Sequence, residues 1–306
     1  MTLDTPAGER RLPLAGKLHQ SGTTIAVGDW VVLEQDAVAA ILPRSTSLLR
    51  RDTDGSATSQ AIAANVDLVI VAVPLTESVR VRKLERYLVF ARSSGADVVV
   101  VLTKADLWPD VDQAVADAVA VSGDADVLAV SARTGDGIEA LLTLMSPGRT
   151  VVVVGPSGAG KSTLTNALGA ERELATGEIR DDGRGRHTTT AREMVRLAGG
   201  ALLIDTPGLR SLELWDAEES IAATYDDVTE LAASCRFRNC GHGTEPGCAV
   251  NAAVDEGLLA GERIDGYAKL QREEERLAAK RDARLRAEHN KKIRSFSRSI
   301  RDQPSR

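Results

Sequence analysis

Short apolar runs alternate with amphipathic segments through the middle of the chain. Buried strands are predicted at four of these runs, at 98–102, 127–130, 151–154 and 201–204. Apolar residues at helical spacing predict helices at 81–93 and 111–121. Strands that alternate with helices in this way predict an α/β domain.

The first 52 residues have a different pattern. Three short segments, 23–27, 30–34 and 39–42, favour strands, and a Gly-Asp pair at 28–29 favours a turn. Short strands separated by turns predict a small β-barrel. The alternative is a β-rich cap on the α/β domain.

A glycine-rich loop directly follows the run at 151–154. Its sequence, GPSGAGKS at 155–162, matches the phosphate-loop pattern GxxxxGK[ST] and precedes a helix start. Glycines let backbone N–H groups turn toward a phosphate, and the helix N-terminus adds positive potential. The pattern predicts that Lys161 reaches the β and γ phosphates and that Ser162 holds Mg²⁺. The residues predicted to contact the nucleotide here are Gly155, Pro156, Ser157, Gly158, Ala159, Gly160, Lys161, Ser162 and Thr163.

A second phosphate element follows the run at 201–204. Asp205-Thr206-Pro207-Gly208 is a DxxG sequence. An aspartate at a strand end holds Mg²⁺ through a water, so Asp205 is predicted to support the metal. The Gly208 N–H is predicted to contact the γ-phosphate. By itself DTPG also fits an ordinary turn.

Guanine recognition is predicted at the end of the run at 98–102. Thr103-Lys104-Ala105-Asp106 is a TKxD sequence, in which the Asp106 carboxylate accepts two guanine N–H groups that adenine does not offer. The Lys104 stem is expected to pack along the base. Thr103 stands where asparagine is usual, and a hydroxyl replaces only part of an amide's hydrogen bonding, which predicts weaker affinity. An ordinary strand-to-helix turn capped by Asp106 is the alternative.

A further base contact is predicted after the run at 127–130. Ser131-Ala132-Arg133 occupies the place of the SAK sequence of GTPases, whose backbone N–H contacts guanine. Ser131 and Ala132 are therefore predicted base contacts. Arg133 stands where lysine is commoner.

The order of these motifs identifies a resemblance. The base-recognition segments precede the phosphate loop, whereas in common GTPases they follow it. The chain resembles the circularly permuted GTPases and is most similar to the RsgA (YjeQ/YloQ) family of ribosome small-subunit-dependent GTPases. Besides the nucleotide motifs, the resemblance is carried by GDWV at 28–31, NVD at 65–67, RYL at 86–88, GRHTTT at 185–190 and CRFRNC at 235–240.

The resemblance implies a fold and a function. It implies a circularly permuted P-loop GTPase core at 53–222, an OB-like β-barrel domain at 1–52 and a zinc-binding helical subdomain at 223–306. The implied activity is GTP hydrolysis with Mg²⁺, stimulated by the small (30S) ribosomal subunit during late maturation, with binding to 16S rRNA. One alternative is an rRNA-binding assembly factor gated by nucleotide, with incidental turnover. Another is an ATP-using phosphotransferase, against which Asp106 argues.

The segment 176–190 is polar and glycine-rich, which predicts a switch loop between the two phosphate motifs. The resemblance points to Thr188 or Thr189 as the hydroxyl that joins the Mg²⁺ shell, with Thr189 preferred. Leu209 occupies the place of the glutamine that orients the attacking water in Ras-like enzymes. His187 is the candidate for that role, and RNA contact is its alternative.

All three cysteines lie within one short segment. Cys235, Cys240 and Cys248, with His242, form a complete tetrahedral ligand set, which predicts one structural Zn²⁺. Scattered buried thiols are the alternative. The resemblance implies that this subdomain helps to engage ribosomal RNA.

Charge is distributed unevenly along the chain. The last 36 residues hold twelve Lys or Arg and six Asp or Glu, although the whole chain has a net charge of −6. A basic arm that binds nucleic acid is one interpretation, and a solvated charged helix is the other. No apolar run reaches the ~20 residues that span a bilayer, and the polar start predicts no signal peptide. We therefore expect a cytoplasmic monomer.

Overall fold

The computed structural model describes residues 1–5, 8–16, 18, 24–51, 59–170, 193–205, 214 and 217–282. The chain forms two compact units, one made of residues 1–50 and 60–212 and the other of residues 51–59 and 213–306. The domain boundaries expected after residues 52 and 222 stay predictions.

Strands dominate the first unit and helices the second. The strands are β1 (Thr2–Leu3), β2 (Arg10–Arg11), β3 (Val31–Glu34), β4 (Ala37–Ile41), β5 (Ser47–Arg51), β6 (Ser59–Ala64), β7 (Leu68–Pro74), β8 (Asp97–Thr103), β9 (Asp126–Val130), β10 (Thr150–Val154), β11 (Glu193–Arg196) and β12 (Leu202–Asp205). The helices are α1 (Val81–Arg92), α2 (Val111–Ser122), α3 (Ile138–Thr143), α4 (Lys161–Ala167), α5 (Glu218–Thr224), α6 (Asp226–Ala232), α7 (Ala249–Asp255) and α8 (Gly261–Arg281), with a 3₁₀ turn at Ala105–Leu107.

A six-stranded sheet forms the centre of the first unit. Its order is β11-β12-β10-β7-β8-β9, with β11 antiparallel to β12 and the other neighbours parallel. The four strands predicted from apolar runs are β8, β9, β10 and β12, and the two predicted helices are α1 and α2. The α/β fold class is therefore confirmed.

The central strand β7 was not predicted. It pairs with β10 on one side and with β8 on the other. Its residues from Leu68 to Ala72 are at most 3% exposed. The continuous apolar run at 68–73 was the available signal, since a parallel strand buried on both faces lacks alternation.

The predicted N-terminal barrel is not confirmed. Among the described residues before the central sheet, β1 pairs with β2, β3 with β4 and β5 with β6, as separate two-stranded sheets. The strand predicted at 23–27 was wrong over its described part, where only Val27 forms a single bridge, to Ala63. Val27 precedes a turn at Gly28, so the chain reverses before a ladder can extend.

The Gly28 turn is joined to Asn65, which explains two segments that carried the family resemblance. The Asn65 side-chain amide donates to the Gly28 carbonyl at 2.9 Å, and its Oδ1 accepts from the Ser45 N–H at 3.0 Å. Gly28 has φ +93°, and a Cβ there would lie 2.1 Å from the Ala64 carbonyl oxygen. Only glycine fits this approach of two backbones.

A buried carboxylate holds the same turn. The Asp29 side chain is 1% exposed and accepts from the Ala26 N–H at 2.8 Å. It also accepts two hydrogen bonds from the Arg44 guanidinium, at 2.7 and 2.8 Å. Arg44 in turn donates to the Thr24 carbonyl at 2.9 Å, so one ion pair joins the segment 24–29 to Arg44.

The second unit is organised by a buried arginine. Arg263 on α8 is 7% exposed, and its guanidinium lies 4.7 Å from the centre of the Tyr225 ring. It donates to both carboxylate oxygens of Asp227 and to the Thr224 carbonyl. These contacts pack α8 against the start of α6. In the described part of the chain, no helix combines the length and the apolar character needed to cross a membrane.

Replacing Asp29 by alanine should destabilise the first unit by about 2–3 kcal/mol, because it leaves a partly buried guanidinium and a backbone N–H without their acceptor. Asp36→Asn is the matched control, since Asp36 pairs with Arg10 at the surface with its side chain 79% exposed, and asparagine tolerates the left-handed backbone at this position (φ +62°). The control should change stability by less than about 0.5 kcal/mol. Urea denaturation compares the variants, and equal effects would contradict the role assigned to Asp29.

Candidate nucleotide-binding site and metal centre

The phosphate loop connects the buried strand β10 to α4. Gly155 follows the strand with φ +153°, and a Cβ there would lie 2.3 Å from the Ala72 carbonyl oxygen on β7. The absence of a side chain at Gly155 therefore lets the loop run close against the neighbouring strand. Ala159 is fully buried, which fixes the second half of the loop.

Lys161 begins α4 and extends back over the loop. Its ammonium group donates to the carbonyls of Gly155 and Pro156, at 3.0 and 2.9 Å. Ser162 is half-buried and Thr163 is exposed at the first turn of the helix. The junction of the loop and α4 therefore carries an ammonium group and two hydroxyls, the groups that the pattern predicts for binding phosphates and Mg²⁺.

Thr103 connects the base-recognition segment to the phosphate loop. It ends β8, is 4% exposed, and its hydroxyl donates to the Ala159 carbonyl at 2.7 Å. The same oxygen lies 3.4 Å from the Val73 carbonyl on β7. The hydroxyl therefore supplies a hydrogen bond between the two segments, which is one part of the bonding expected of an asparagine here.

One cavity of about 180 Å³ is lined by residues of both segments. Six of its lining residues were predicted nucleotide contacts: Thr103, Lys104, Asp106, Ala132, Gly160 and Thr163. Four lining residues were not predicted as contacts: Leu107, Val130, Arg133 and Leu164. The apolar members provide a surface for a flat ring, and Asp106 provides the acceptor.

Asp106 is held as an acceptor by two donors. Its Oδ1 accepts from the Ser131 hydroxyl at 2.6 Å, and its Oδ2 accepts from the Arg133 Nε–H at 2.7 Å. The hydrogen bond from Ser131, followed by that from Arg133, lowers the pKa of the Asp106 carboxyl. The group is therefore ionised at neutral pH and accepts hydrogen bonds only.

The strand order places Asp205, which begins the second phosphate motif, on the strand next to the one that leads into the phosphate loop. Asp205 ends β12, which pairs in parallel with β10, the strand that leads into the phosphate loop. Gly208, His187, Thr188 and Thr189 lie outside the described residues, and their predicted roles stay predictions.

The predicted zinc ligands lie together in the second unit. The ligand atoms of Cys235, Cys240, His242 and Cys248 are all within 4.8 Å of one another. The Cys235 and Cys248 sulfurs are 3.9 Å apart, and His242 Nδ1 lies 3.8 and 3.5 Å from them. Tetrahedral zinc, with bonds of about 2.3 Å to sulfur and about 2.0 Å to nitrogen, requires separations of about 3.5–3.8 Å. The donor set therefore fits one structural Zn²⁺.

Neighbouring contacts orient this cluster. Glu245 accepts from the N–H groups of Gly241 and Gly243, on either side of His242, at 3.0 and 2.7 Å. Backbone hydrogen bonds, including these two, lower the pKa of the Glu245 carboxyl. The His242 ring lies 6.5 Å from the ring of Tyr267 on α8. Cys248 accepts from the Asn251 N–H at 3.4 Å and so caps α7.

Comparison with known proteins also indicates a GTPase of the RsgA family. A model of the RsgA GTPase family matches residues 41–215. The small ribosomal subunit biogenesis GTPase RsgA of Streptomyces avermitilis is 45% identical over 93% of this chain and 79% of its own length. The protein of that name from Opitutus terrae is 44% identical over 93% of this chain and 83% of its own.

Two solved structures are similar over nearly the whole chain. The crystal structure of YjeQ from Thermotoga maritima has a TM-score of 0.66 at 28% identity and covers 88% of this chain and 92% of its own. YloQ, described as a circularly permuted GTPase, has a TM-score of 0.60 at 27% identity and covers 89% of both chains.

Sheet order, phosphate loop and base cavity together define a circularly permuted P-loop GTPase. The extent of the matches then fixes the family: the chain belongs to the RsgA GTPases. Its activity is the hydrolysis of GTP, for which GTP or GDP with Mg²⁺ are the ligands.

Replacing Thr103 by valine should weaken GDP binding about three- to tenfold, because the Ala159 carbonyl loses its donor while the side-chain shape is retained. Thr103→Ser keeps the hydroxyl and is the matched control. Titration calorimetry measures both variants. Equal affinities for GDP in the valine variant and the serine variant would show that this hydrogen bond does not support the site.

The purified protein should contain about one zinc ion per chain, and Cys248→Ser should lose most of it because a ligand is removed. The same change should lower the unfolding temperature of the second unit. His187→Ala is the control, since it removes a histidine outside the cluster. Metal analysis by mass spectrometry gives the content, and unchanged zinc in Cys248→Ser would contradict the assigned ligand set.

Proposed function

We propose that this GTPase acts in late maturation of the small (30S) ribosomal subunit, binds its 16S rRNA and is stimulated by the subunit. The observation that carries the enzymatic part is the cavity lined by Asp106 and also by Gly160 and Thr163, at the end of the phosphate loop and the start of α4. The ribosomal part is supported by the names of relatives that are 44–45% identical over 93% of this chain. Such a function places the protein in the cytoplasm, and we propose that it acts as a monomer.

Asp106 selects guanine in this proposal. Its ionised carboxylate accepts the ring N–H and the exocyclic amino group of guanine, whereas adenine presents an acceptor in place of the ring N–H. Lys104 has a left-handed backbone (φ +62°) at the cavity wall, which directs its stem along the plane of the base. Ala132 supplies a backbone N–H beside the base.

The phosphates of the nucleotide would bind at the phosphate loop. The Lys161 ammonium leaves the carbonyls of Gly155 and Pro156 and pairs with the β and γ phosphates. Ser162, Asp205 and Thr189 would hold Mg²⁺, directly or through water. The metal would supply positive charge that neutralises the phosphates.

The predicted switch segment completes the reaction. Thr188 or Thr189 responds to the γ-phosphate, and His187 positions the attacking water because Leu209 offers no hydrogen bond. Hydrolysis is therefore slow in the isolated protein, and contact with the subunit arranges these groups.

The second unit carries features suited to RNA. Phe237 is 42% exposed beside the zinc ligand Cys235, and the Arg236 guanidinium lies 5.5 Å from its ring centre. Arg238 is also exposed. An aromatic ring stacks on an unpaired base, and the two guanidinium groups neutralise phosphates. The basic sequence at 271–306 adds attraction that is independent of RNA sequence.

Steady-state hydrolysis of GTP and ATP, each with and without purified small subunits, tests the proposal. We expect slow turnover of GTP alone, at least a tenfold rise with the subunit, and negligible use of ATP. Stimulation by large subunits at the same concentration is the control. GTP turnover that the small subunit leaves unchanged would favour a nucleotide-gated rRNA-binding factor instead.

His187→Ala in the same assay separates catalysis from binding. It should lower the stimulated turnover and leave the affinity for GTP unchanged, because His187 is assigned to the attacking water. Full stimulated turnover in this variant would remove His187 from the proposed mechanism.

A further inference from the structure

The base-recognition carboxylate is occupied by a side chain of the protein itself. Arg133 Nε–H donates to Asp106 Oδ2 at 2.7 Å, and the same arginine lines the candidate guanine cavity. The other carboxylate oxygen accepts from Ser131 at 2.6 Å. A guanine that uses both oxygens therefore meets two donors already in place.

The two donors differ in their freedom to move. Ser131 is fully buried, and its hydroxyl also accepts from the Thr134 N–H at 3.2 Å. The Arg133 side chain is 74% exposed, whereas that of Asp106 is 10% exposed. Only Arg133 can leave the carboxylate by rotating its side chain into water.

The backbone beneath Arg133 does not have to move. The Ser131 N–H donates to the Asp136 carbonyl at 2.9 Å, and the Gly135 N–H donates to the Ser131 carbonyl at 2.9 Å. These bonds close the turn that carries Arg133. Departure of the guanidinium is therefore a side-chain rotation over a fixed loop.

We propose that the Arg133–Asp106 ion pair is a latch on the guanine subsite, which the base must displace in order to bind. The proposal rests on the assignment of Asp106 to guanine. The guanidinium occupies the acceptor oxygen that a guanine N–H donor would use. It compensates the Asp106 charge and at the same time competes with the base.

The latch predicts the direction in which the affinity for guanine nucleotides changes when Arg133 is removed. Removing Arg133 frees Asp106 Oδ2, so guanine nucleotides should bind more tightly. Exposed ion pairs contribute little, which limits the gain to about two- to fivefold in the dissociation constant of GDP. Salt screens the pair in the wild type, so the ratio between wild type and variant should approach one at high ionic strength.

The test compares Arg133→Ala and Arg133→Gln with wild type, using a fluorescent GDP analogue labelled on the ribose, at low and high salt. Arg10→Ala is the matched control, because it removes the same charge from another surface ion pair, with Asp36. We expect tighter binding in both Arg133 variants and no change in the control. Thermal unfolding of each variant confirms that it is folded.

A second background isolates the contact with Asp106. Asp106→Asn should favour the xanthine nucleotide XDP, because the amide offers a donor to the xanthine carbonyl. In that background no ion pair exists, so adding Arg133→Ala should leave XDP affinity unchanged.

Four results overturn the latch. Unchanged GDP affinity in the folded Arg133 variants does so, and weaker affinity would show that Arg133 supports the base. An equal gain for XDP in the Asp106→Asn background would mean that Arg133 acts elsewhere. If the wild-type protein binds GDP and ADP equally, Asp106 does not recognise guanine, and the latch fails with that assignment. If the wild-type protein prefers GDP but the Arg133 variants bind it no more tightly, only the latch fails and the proposed function stands.

Discussion

The hydrogen bond from the Thr103 hydroxyl to the Ala159 carbonyl joins the two halves of the nucleotide site. β7 separates β8 from β10 in the sheet, so this 2.7 Å contact connects loops that leave non-adjacent strands. The register of β7 makes the contact possible, because Pro74 pairs with Thr103 while Val71 pairs with Val154. The phosphate loop therefore passes beside the last residues of β7 and reaches the end of β8. A displacement of either loop changes the cavity between them.

This arrangement also explains why the reversed motif order is compatible with a GTPase site. The carboxyl ends of β8, β9, β10 and β12 meet at one edge of a parallel sheet, whatever the order in which the chain visits them. The edge places Asp106, Ala132 and the end of the phosphate loop around one cavity. Rejoining the chain elsewhere changes the connections and leaves the spatial order of the strands unaltered. What the permutation changes is the sequence position of the switch segment relative to the base-recognition segments.

The sequence predicted those parts of the fold and site that depend on local patterns. The phosphate loop and the Cys₃His set could be predicted because their residues are contiguous or closely spaced. The strand before each nucleotide motif could be predicted from its short apolar run. The strand β7 was missed because, unlike the four apolar runs that were predicted as strands, the run at 68–73 is not followed by a nucleotide motif. The bond from Thr103 to Ala159 and the pair between Arg133 and Asp106 join segments that are distant in sequence, and residue types alone do not specify such pairs. The N-terminal barrel was predicted from short strands and from the family resemblance. In the structure, the strands β1 to β6 form three separate two-stranded sheets.

We propose that Asp106, held beside the phosphate loop, makes this site specific for guanine. Calorimetric titration of the nucleotide-free wild-type protein with GDP and ADP in Mg²⁺ tests it most directly. A carboxylate that accepts two donors from the correct base should bind GDP at least about a hundredfold more tightly than ADP. Equal affinities would contradict the account, because they would show that phosphates alone determine binding and that the cavity at Asp106 does not recognise the base.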